Sequence, residues 1–346
     1  MVEIRAMKKS EADEVKKLGR KTFEWFEGLF IPEPKDCFVA VKENKVIGAV
    51  LYKYFSVANK KIGYVDFIFV DKHAHGKGIG SKLVDRSLEA MEKEDCDGYS
   101  ALVRDDNVGS WKMFINRGLQ RVGLEDLVRK FGVLGMLNLT FKIPFNFATG
   151  MDFYLKMEAD KLSMKKRNSF FQAFKYLILT ALLLSPGFIH GIENALDIIA
   201  PITAIILIRI AFGYLGTLFS NENWHFRVCD GGYIIPFIAS FFNGIFLISG
   251  NWYPKVYRKE PDFKHSLGLT ALAQWFSLIT IILITKTLLN QTQFLRTMAE
   301  MSVFIMMISI VPFYPLASFG GKRIFEWNKW IYIIVLLISF YILFLY

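Results

Sequence analysis

The pattern of apolar and polar positions changes character along this chain. At the start, "KSEADEVKKLGRKTFEWFEGLF" (9–30) spaces its apolar residues at helical intervals, with Ser10 placed to cap the helix. "CFVAVKENKVIGAVLYKYF" (37–55) reads as two strands joined at Glu43-Asn44, and "KKIGYVDFIFV" (60–70) as one mostly buried strand. "GIGSKLVDRSLEAMEKE" follows as an amphipathic helix with Leu83, Leu88 and Met91 on one side. "GYSALVR" is then a strand, "VGSWKMFINRG" a helix and "MDFYLKME" a last strand. The order α–β–β–β–α–β–α–β predicts an α/β domain around a mixed sheet with flanking helices.

Near residue 165 the rhythm is lost in long apolar runs, at about 170–189, 197–219, 232–250, 266–289, 302–316 and 330–346. Several approach the ~20 residues that cross a bilayer core. The expected organisation is therefore a first domain over 1–160 and an all-α polytopic transmembrane bundle over 161–346. Basic residues orient it. Lys161, Lys165, Lys166 and Arg167 precede the first run. Lys255, Arg258, Lys259 and Lys264 fill the loop at 251–265, and Lys322, Arg323 and Lys329 that at 317–329. These loops fall on one side if 232–250, which holds Pro236 and Asn243-Gly244, dips in and returns. The expectation is five spans plus one re-entrant segment, an integral membrane protein whose N-terminal domain is cytoplasmic.

Composition agrees with that division. The chain is 346 residues long, 53% hydrophobic, with a mean hydropathy of +0.31 and a net charge of +10. The positive excess is explained by phosphate and lipid contacts, so no nucleic-acid partner is expected. Cys37, Cys96 and Cys229 have neither zinc-type nor disulfide-framework spacing, which fits a reducing compartment for the first domain. The charged N-terminus shows no cleavable signal peptide.

The chemistry of the first domain centres on "VDKHAHGKGIGSKLVDRS" (70–87). Glycine lets backbone approach a ligand closely, and the N–H groups opening a helix attract anions. No Gly-Lys-Ser/Thr follows, so this is not a P-loop; Gly-x-Gly-x-Gly is also not the dinucleotide spacing. Helix dipole, Lys77 and Lys82 all favour a phosphate.

"FIFVDKHAHGKGIGSKLVDRSLEAM" resembles the acetyl-CoA loop of the GNAT N-acetyltransferases, Arg/Gln-x-x-Gly-x-Gly/Ala. "RDDNVGSWKMFINRGLQRVG" is similar to that family's later Asn-x-x-Ala-x-x-x-Tyr-x-x-x-Gly-Phe segment, and the resemblance covers about residues 1–158. It implies that amides from Gly76 through Lys77, Gly78, Ile79 and Gly80 to Ser81 cradle the coenzyme pyrophosphate. It further implies that the strand Phe67–Val70, with Phe69 and Val70, lies beside the pantetheine arm, and that Asn107 contacts the coenzyme or positions its thioester. Two positions depart from the pattern. His75 stands where Arg or Gln is usual, and Phe114 where the family often has the tyrosine that protonates the departing thiolate. That step would need Ser110, a water or another residue. Asp66 sits where some members place a base, and an inert strand residue is the alternative. "GLEDLVRKFGVLGMLNLTFKIPFNFATG" is longer and more apolar than such a connection needs. Leu124, Leu127, Val128 and Phe131 share one helical face, to lie on a bilayer or to pack on protein.

"VPFYPLASFGGKRIFEWNKWIY" (311–332) in turn resembles the C-terminal signature of site-2-protease-like intramembrane metalloproteases, with Gly320 in place of the metal-binding aspartate. "ENWHFRV" (222–228) loosely fits a hairpin of that family. His-Glu-x-x-His is absent, and "HGIENALD" offers only His190 and Glu193. Three ligands are the minimum for a catalytic zinc, so no metal and no proteolysis are expected, a pseudoprotease at most. Arg209 is the outlying charge within the apolar runs, with Asp197 and Glu193 as partners conceivable from sequence and snorkelling as the alternative. Two functions follow. One is a membrane-anchored N-acetyltransferase moving acetyl from acetyl-CoA to an amine of a small molecule, lipid headgroup or protein. The other is a non-catalytic acetyl-CoA sensor or scaffold.

Overall fold

The computed structural model describes residues 2–104, 107–143, 151–157, 168–189, 195–255, 261–287, 292–313 and 316–345. The chain divides into two compact units, the first ending near Met164 and the second running from Lys165 to Tyr346. The basic stretch 161–167, His190 and Glu193, Arg258 and Lys259, and the end of the 124–147 insertion lie outside the described residues.

The first unit is a seven-stranded mixed sheet in the order β1-β2-β3-β4-β5-β7-β6. Its strands are β1 (Glu3–Ala6), β2 (Asp36–Lys42), β3 (Lys45–Val57), β4 (Lys60–Val70), β5 (Gly98–Arg104), β6 (Gln120–Val122) and β7 (Met151–Met157). β2–β3–β4 form a meander closed by two tight turns. Glu43 and Asn44 take φ of 50° and 60°, and Ala58 and Asn59 take 47° and 60°. Left-handed pairs of this kind match the twist of the strands they join. Only β4 and β5 pair in parallel, because the helix α3 (Ile79–Lys93) carries the chain back between them.

Helices cover both faces. α1 (Ala12–Thr22) buries Val15 and Leu18, and α3 buries Ile79, Leu83, Val84 and Met91. α4 (Val108–Ile115) adds Phe114 to the same core cluster as α3. α5 (Leu124–Lys142) takes the inserted stretch, and its Leu127, Phe131 and Leu139, with Ile143 beyond, pack against Phe55, Ile62, Tyr64 and Phe153. Each such side chain contributes about 1.5–3 kcal/mol of transfer free energy. The insertion thus packs on its own sheet through one face, while Leu134 beyond the Gly132 kink remains 82% exposed.

Three sequence expectations change here. Residues 9–30 are not one helix: Phe23 is extended (ψ 162°), and the chain restarts as α2 (Trp25–Leu29). The break seats the Phe23 ring edge-on against Phe67 and Phe69, at 5.5 and 6.0 Å. Ser10 does not cap α1, since it lies inside a short 3-10 turn (Lys9–Glu11). Instead the Glu11 carboxylate accepts the Lys8 N–H at 2.8 Å and is gripped by Arg5 at 2.6 and 2.9 Å. β1 and β6 were too short to show a period-2 pattern.

The second unit holds α6 (Ser169–Ile189), α7 (Leu196–Thr217), α8 (Ile234–Phe241), α9 (Pro261–Thr287), α10 (Gln293–Ser309), α11 (Gly321–Trp327) and α12 (Lys329–Leu345). It is not all-α. β8 (Trp224–Val228) and β9 (Gly250–Pro254) form an antiparallel pair, and between them α8 has only eight residues. The alternation Trp-His-Phe-Arg-Val over five residues is too short to register beside the long apolar runs. Among the described residues three helical stretches are long and apolar enough to cross a membrane: Ser169–Phe188, Leu196–Thr217 and Phe263–Thr287. α12 is apolar but shorter. The run at 302–316 is displaced into α10, which begins after the Thr292 cap and ends at Ser309, ahead of Pro312, a residue whose predecessor avoids helical backbone.

The exterior of this unit is more apolar than that of a water-soluble bundle, and its apolar core also holds polar side chains. Phe170, Phe174, Leu182, Leu207, Phe276 and Leu283 face outward, whereas Gln172, Thr180, Thr270, Gln274, Ser277 and Ser302 are buried. Interior polar groups pair across helices: Trp275 Nε1 donates to Ser339 Oγ at 2.9 Å, and the Tyr332 hydroxyl to the Ile310 carbonyl at 2.9 Å.

Candidate active site

The loop after β4 is held from both ends. Asp71 accepts the His73 N–H at 2.9 Å, which lowers its pKa and fixes a 3-10 turn over Lys72–Ala74. His75 folds back, with Nε2 bonded to the Val70 carbonyl at 2.8 Å. The ring thus closes the loop base, and the nitrogen in this bond carries the proton. Gly76 and Gly78 follow with φ of 79° and 70°, in the left-handed region, and nothing lies within 4 Å of where a Cβ would stand on either. Space above the loop is open.

Gly78 caps α3, and the first intrahelical bond is Lys82 N–H to the Gly78 carbonyl at 3.1 Å. Ahead of it the amides from Gly76 to Ser81 have no acceptor among the described residues, as at any helix start. Lys77 and Lys82 are exposed beside them. The amide row is a fit for a pyrophosphate. Sequence reasoning missed its support. Arg117, at the end of α4, donates Nη2 to Ser81 Oγ at 2.6 Å and to the Ser81 carbonyl at 3.0 Å, while its Nε bonds Asp85 at 2.6 Å. Ser81 Oγ accepts there and keeps its own proton for a ligand.

Upstream of the loop the sheet opens. Parallel pairing of β4 with β5 ends at Val65–Ala101, and beyond it the two strands part. On the other edge of β4, Leu51 pairs with Phe67 but Tyr52 with Val65, which leaves Asp66 as the extra residue of a bulge. Bulges re-aim a side chain. The parted strands bound a cleft lined by Asp66, Phe67 and Ile68 from β4 and Leu102 to Arg104 from β5. Asn107, Ser110 and Phe114 also line it, as do Phe23 and Glu27. Phe69 and Val70 do not. Phe69 is buried against Phe23, and the Val70 carbonyl holds His75.

Asp66 is largely buried, and desolvation pushes its carboxyl above the ordinary value; Lys53 Nζ at 2.9 Å pulls part of the way back. Glu27 behaves alike. Burial raises it, against Arg104, whose Nη1 lies 3.3 Å from Glu27 and 3.2 Å from Glu24. Two buried carboxyls with raised pKa make this cleft a candidate site for proton transfer. Asn107 caps α4, its Oδ1 accepting the Ser110 N–H at 3.1 Å, which fixes the side chain and leaves its amide nitrogen free to donate. Phe114 is 2% exposed and offers no proton. Glu27, Arg104 and Lys53 carried no sequence signal beyond charge, since chain folding alone brings them here.

Residues 2–119 match the model of the acetyltransferase (GNAT) family. The first unit carries a GNAT domain. Among curated relatives, N-alpha-acetyltransferase MAK3 of Arabidopsis thaliana is 28% identical over 100 residues, 29% of this chain and 51% of that protein. N-alpha-acetyltransferase 30 of Xenopus laevis is 32% identical over 91 residues, 25% of this chain and 33% of its own. The chain therefore spans about half or less of the relatives it matches. The GNAT domain is also similar to a chain of the NatC complex crystallised with Gag peptide and CoA, at 19% identity and a TM-score of 0.33, covering 44% of this chain and 96% of that one. In the second unit, Gly320 takes φ 121° ahead of α11. No group of three or more His, Cys, Asp or Glu gathers there or elsewhere among the described residues.

Proposed function

We propose that the protein is a membrane-anchored acetyltransferase, moving acetyl from acetyl-CoA to a primary amine in the cleft between β4 and β5. The observation that carries this reading is that one strand, β4, lines the cleft with Asp66, Phe67 and Ile68 and leads directly into the glycine loop after Val70. The pyrophosphate would take the amides Gly76–Ser81, with Lys77, Ile79 and the Ser81 hydroxyl, and His75 would set the loop base. The pantetheine arm would run along Phe67 and Ile68, past Asn107, toward Asp66.

The acceptor nitrogen attacks the thioester carbonyl, forming C–N as C–S breaks. One proton leaves the nitrogen and one reaches the thiolate. Asp66 is the base: burial lifts its pKa toward working pH, and the bulge turns it into the cleft. Ser110, which lines the same cleft, is the donor this chain offers where Phe114 has none.

Anchoring is supported by the apolar exterior of the second unit and by its three long apolar helices. Lipid is the solvent that such an apolar exterior requires, and the N-terminal unit would face the cytoplasm, where acetyl-CoA is made. The test is coenzyme release by the full chain in detergent, against a panel of N-terminal peptides, polyamines and aminolipids. Acceptor-dependent release is expected. Acetyl-CoA binding without turnover would favour the sensor or scaffold, which the lack of a donor at Phe114 recommends. Failure to bind acetyl-CoA would defeat both. Cysteines introduced at Lys264 and Lys322 should react only from the side that holds the N-terminal unit; labelling from the opposite side would refute the topology.

A further inference from the structure

The second unit contains a charge without a counter-charge. Arg209 lies in the middle of α7 and is 6% exposed, so it does not snorkel to a surface. Its Nε has no acceptor, and no carboxylate reaches its guanidinium among the described residues. Asp197, at the start of the same helix, is exposed and on the order of 18 Å away along the axis. Asp230 is already held by Lys175 at 2.9 Å. Buried charges in this unit thus comprise the cations Lys175, Arg209 and Arg227 and the anion Asp230.

Buried polar groups also lie on the helices packed around Arg209. Tyr176 of α6 is in electrostatic range of it. Gln172, one turn earlier on the same face of α6, is 1% exposed with both amide atoms unbonded. On α7, Gly213 is one turn beyond Arg209, and a Cβ there would stand 2.7 Å from Gln274 Nε2. Gln274 is 3% exposed and its Oε1 is unbonded. An unpaired guanidinium in such a setting costs several kcal/mol, and apolar packing of the same volume would be cheaper to fold. The planar fork of arginine matches a carboxylate or phosphate bidentately.

From this we infer that the interior of the helical unit, at Arg209 between α6, α7 and α9, is a binding site for an oxyanion, phosphate in chemistry. The anion comes either from solution or from a lipid headgroup. The site stands apart from acetyl transfer and does not depend on it. Its test uses the full chain in neutral detergent and chloride buffer. Thermal unfolding is followed against inorganic phosphate, and again in nanodiscs of phosphatidylglycerol or phosphatidylcholine. A saturable rise of about 5 °C is expected from one source: phosphate if the anion is soluble, phosphatidylglycerol if it is a lipid. Arg209→Met should lose that rise and, without anion, melt no lower than the parent. Arg209→Lys, keeping charge without the fork, should retain the rise at roughly tenfold higher anion concentration. Equal responses of parent and Arg209→Met, no response to either source, or loss of folding in Arg209→Met would each overturn the site.

Discussion

Replacing Gly78 with alanine isolates what the loop backbone contributes, because the structure supplies its own control two residues on. Gly78 has φ 70° and open space where a Cβ would stand. The whole cost of Gly78→Ala is therefore conformational, about 1–2 kcal/mol for an L-residue in the left-handed region. Gly80 lies inside α3, and a Cβ there meets Val70 Cγ2 at 3.8 Å and Ile68 Cδ1 at 3.9 Å, ordinary contact. Gly80→Ala should stabilise by about 0.8–1.0 kcal/mol through helix propensity. The two variants should lie on opposite sides of the parent, roughly 2 kcal/mol apart. If the loop relaxes to escape the strain, Gly78→Ala rotates amides away from the pyrophosphate. Each charge-assisted bond lost is worth about 1.5–3 kcal/mol, roughly 10- to 100-fold in Kd. Calorimetric titration of coenzyme A into the detergent-solubilised full chain reads this directly, with thermal unfolding as the second measurement. Gly80→Ala should bind like the parent. Equal melting temperatures and equal affinities for the two variants would refute the reasoning, since nothing but the sign of φ distinguishes them.

Three further outcomes are expected. Asp66→Asn should lower kcat on the order of 100-fold while leaving acetyl-CoA affinity unchanged. It should also remove the rate's rise with pH through a pKa above the ordinary carboxylate value, which a pH–rate profile would show. Glu11, held by Arg5, titrates at about 2 instead of 4.5. Its stabilisation is present above the ordinary value and disappears as pH falls from there toward 2, so Glu11→Gln should cost about 1 kcal/mol at neutral pH after allowance for solvent screening, and nothing near pH 2. Leu139→Ala, at a site 1% exposed under the sheet, should cost about 2–5 kcal/mol, seen as earlier thermal unfolding of the GNAT domain.

What the sequence disclosed follows from the range of the interactions involved. The turn at Glu43-Asn44, the glycine loop and the apolar face of α3 are local, and local pattern reports them. The bulge at Asp66 depends on register against β3, which a single strand does not encode. Glu27 and Arg104 meet across nearly half the domain's length, and neither belongs to a motif. The break at Phe23 was hidden because the apolar spacing continues through it, and the aromatic contact that rewards the break lies on β4. In the second unit the apolar runs locate α6, α7, α9 and α12, but not the β8–β9 pair, whose hydrogen bonds join residues separated by all of α8. Arg209 is the opposite case. Its oddity was visible at once, and only the fold shows that Asp197 is exposed and that Asp230 is held by Lys175.

The Arg117 bonds to Ser81 and Asp85 bear on kinetics as well as position. They tie the start of α3 to the end of α4, so the amides from Gly76 to Ser81 and the Asn107–Ser110 end of the cleft share one frame before any ligand arrives. The ordering entropy of that frame is then spent once, during folding, and not at each turnover. A side chain left free until binding would cost about 0.5–1.5 kcal/mol each time it was immobilised. With the frame already set, association should involve little rearrangement, and differences in coenzyme affinity among loop variants should appear mainly in the dissociation rate.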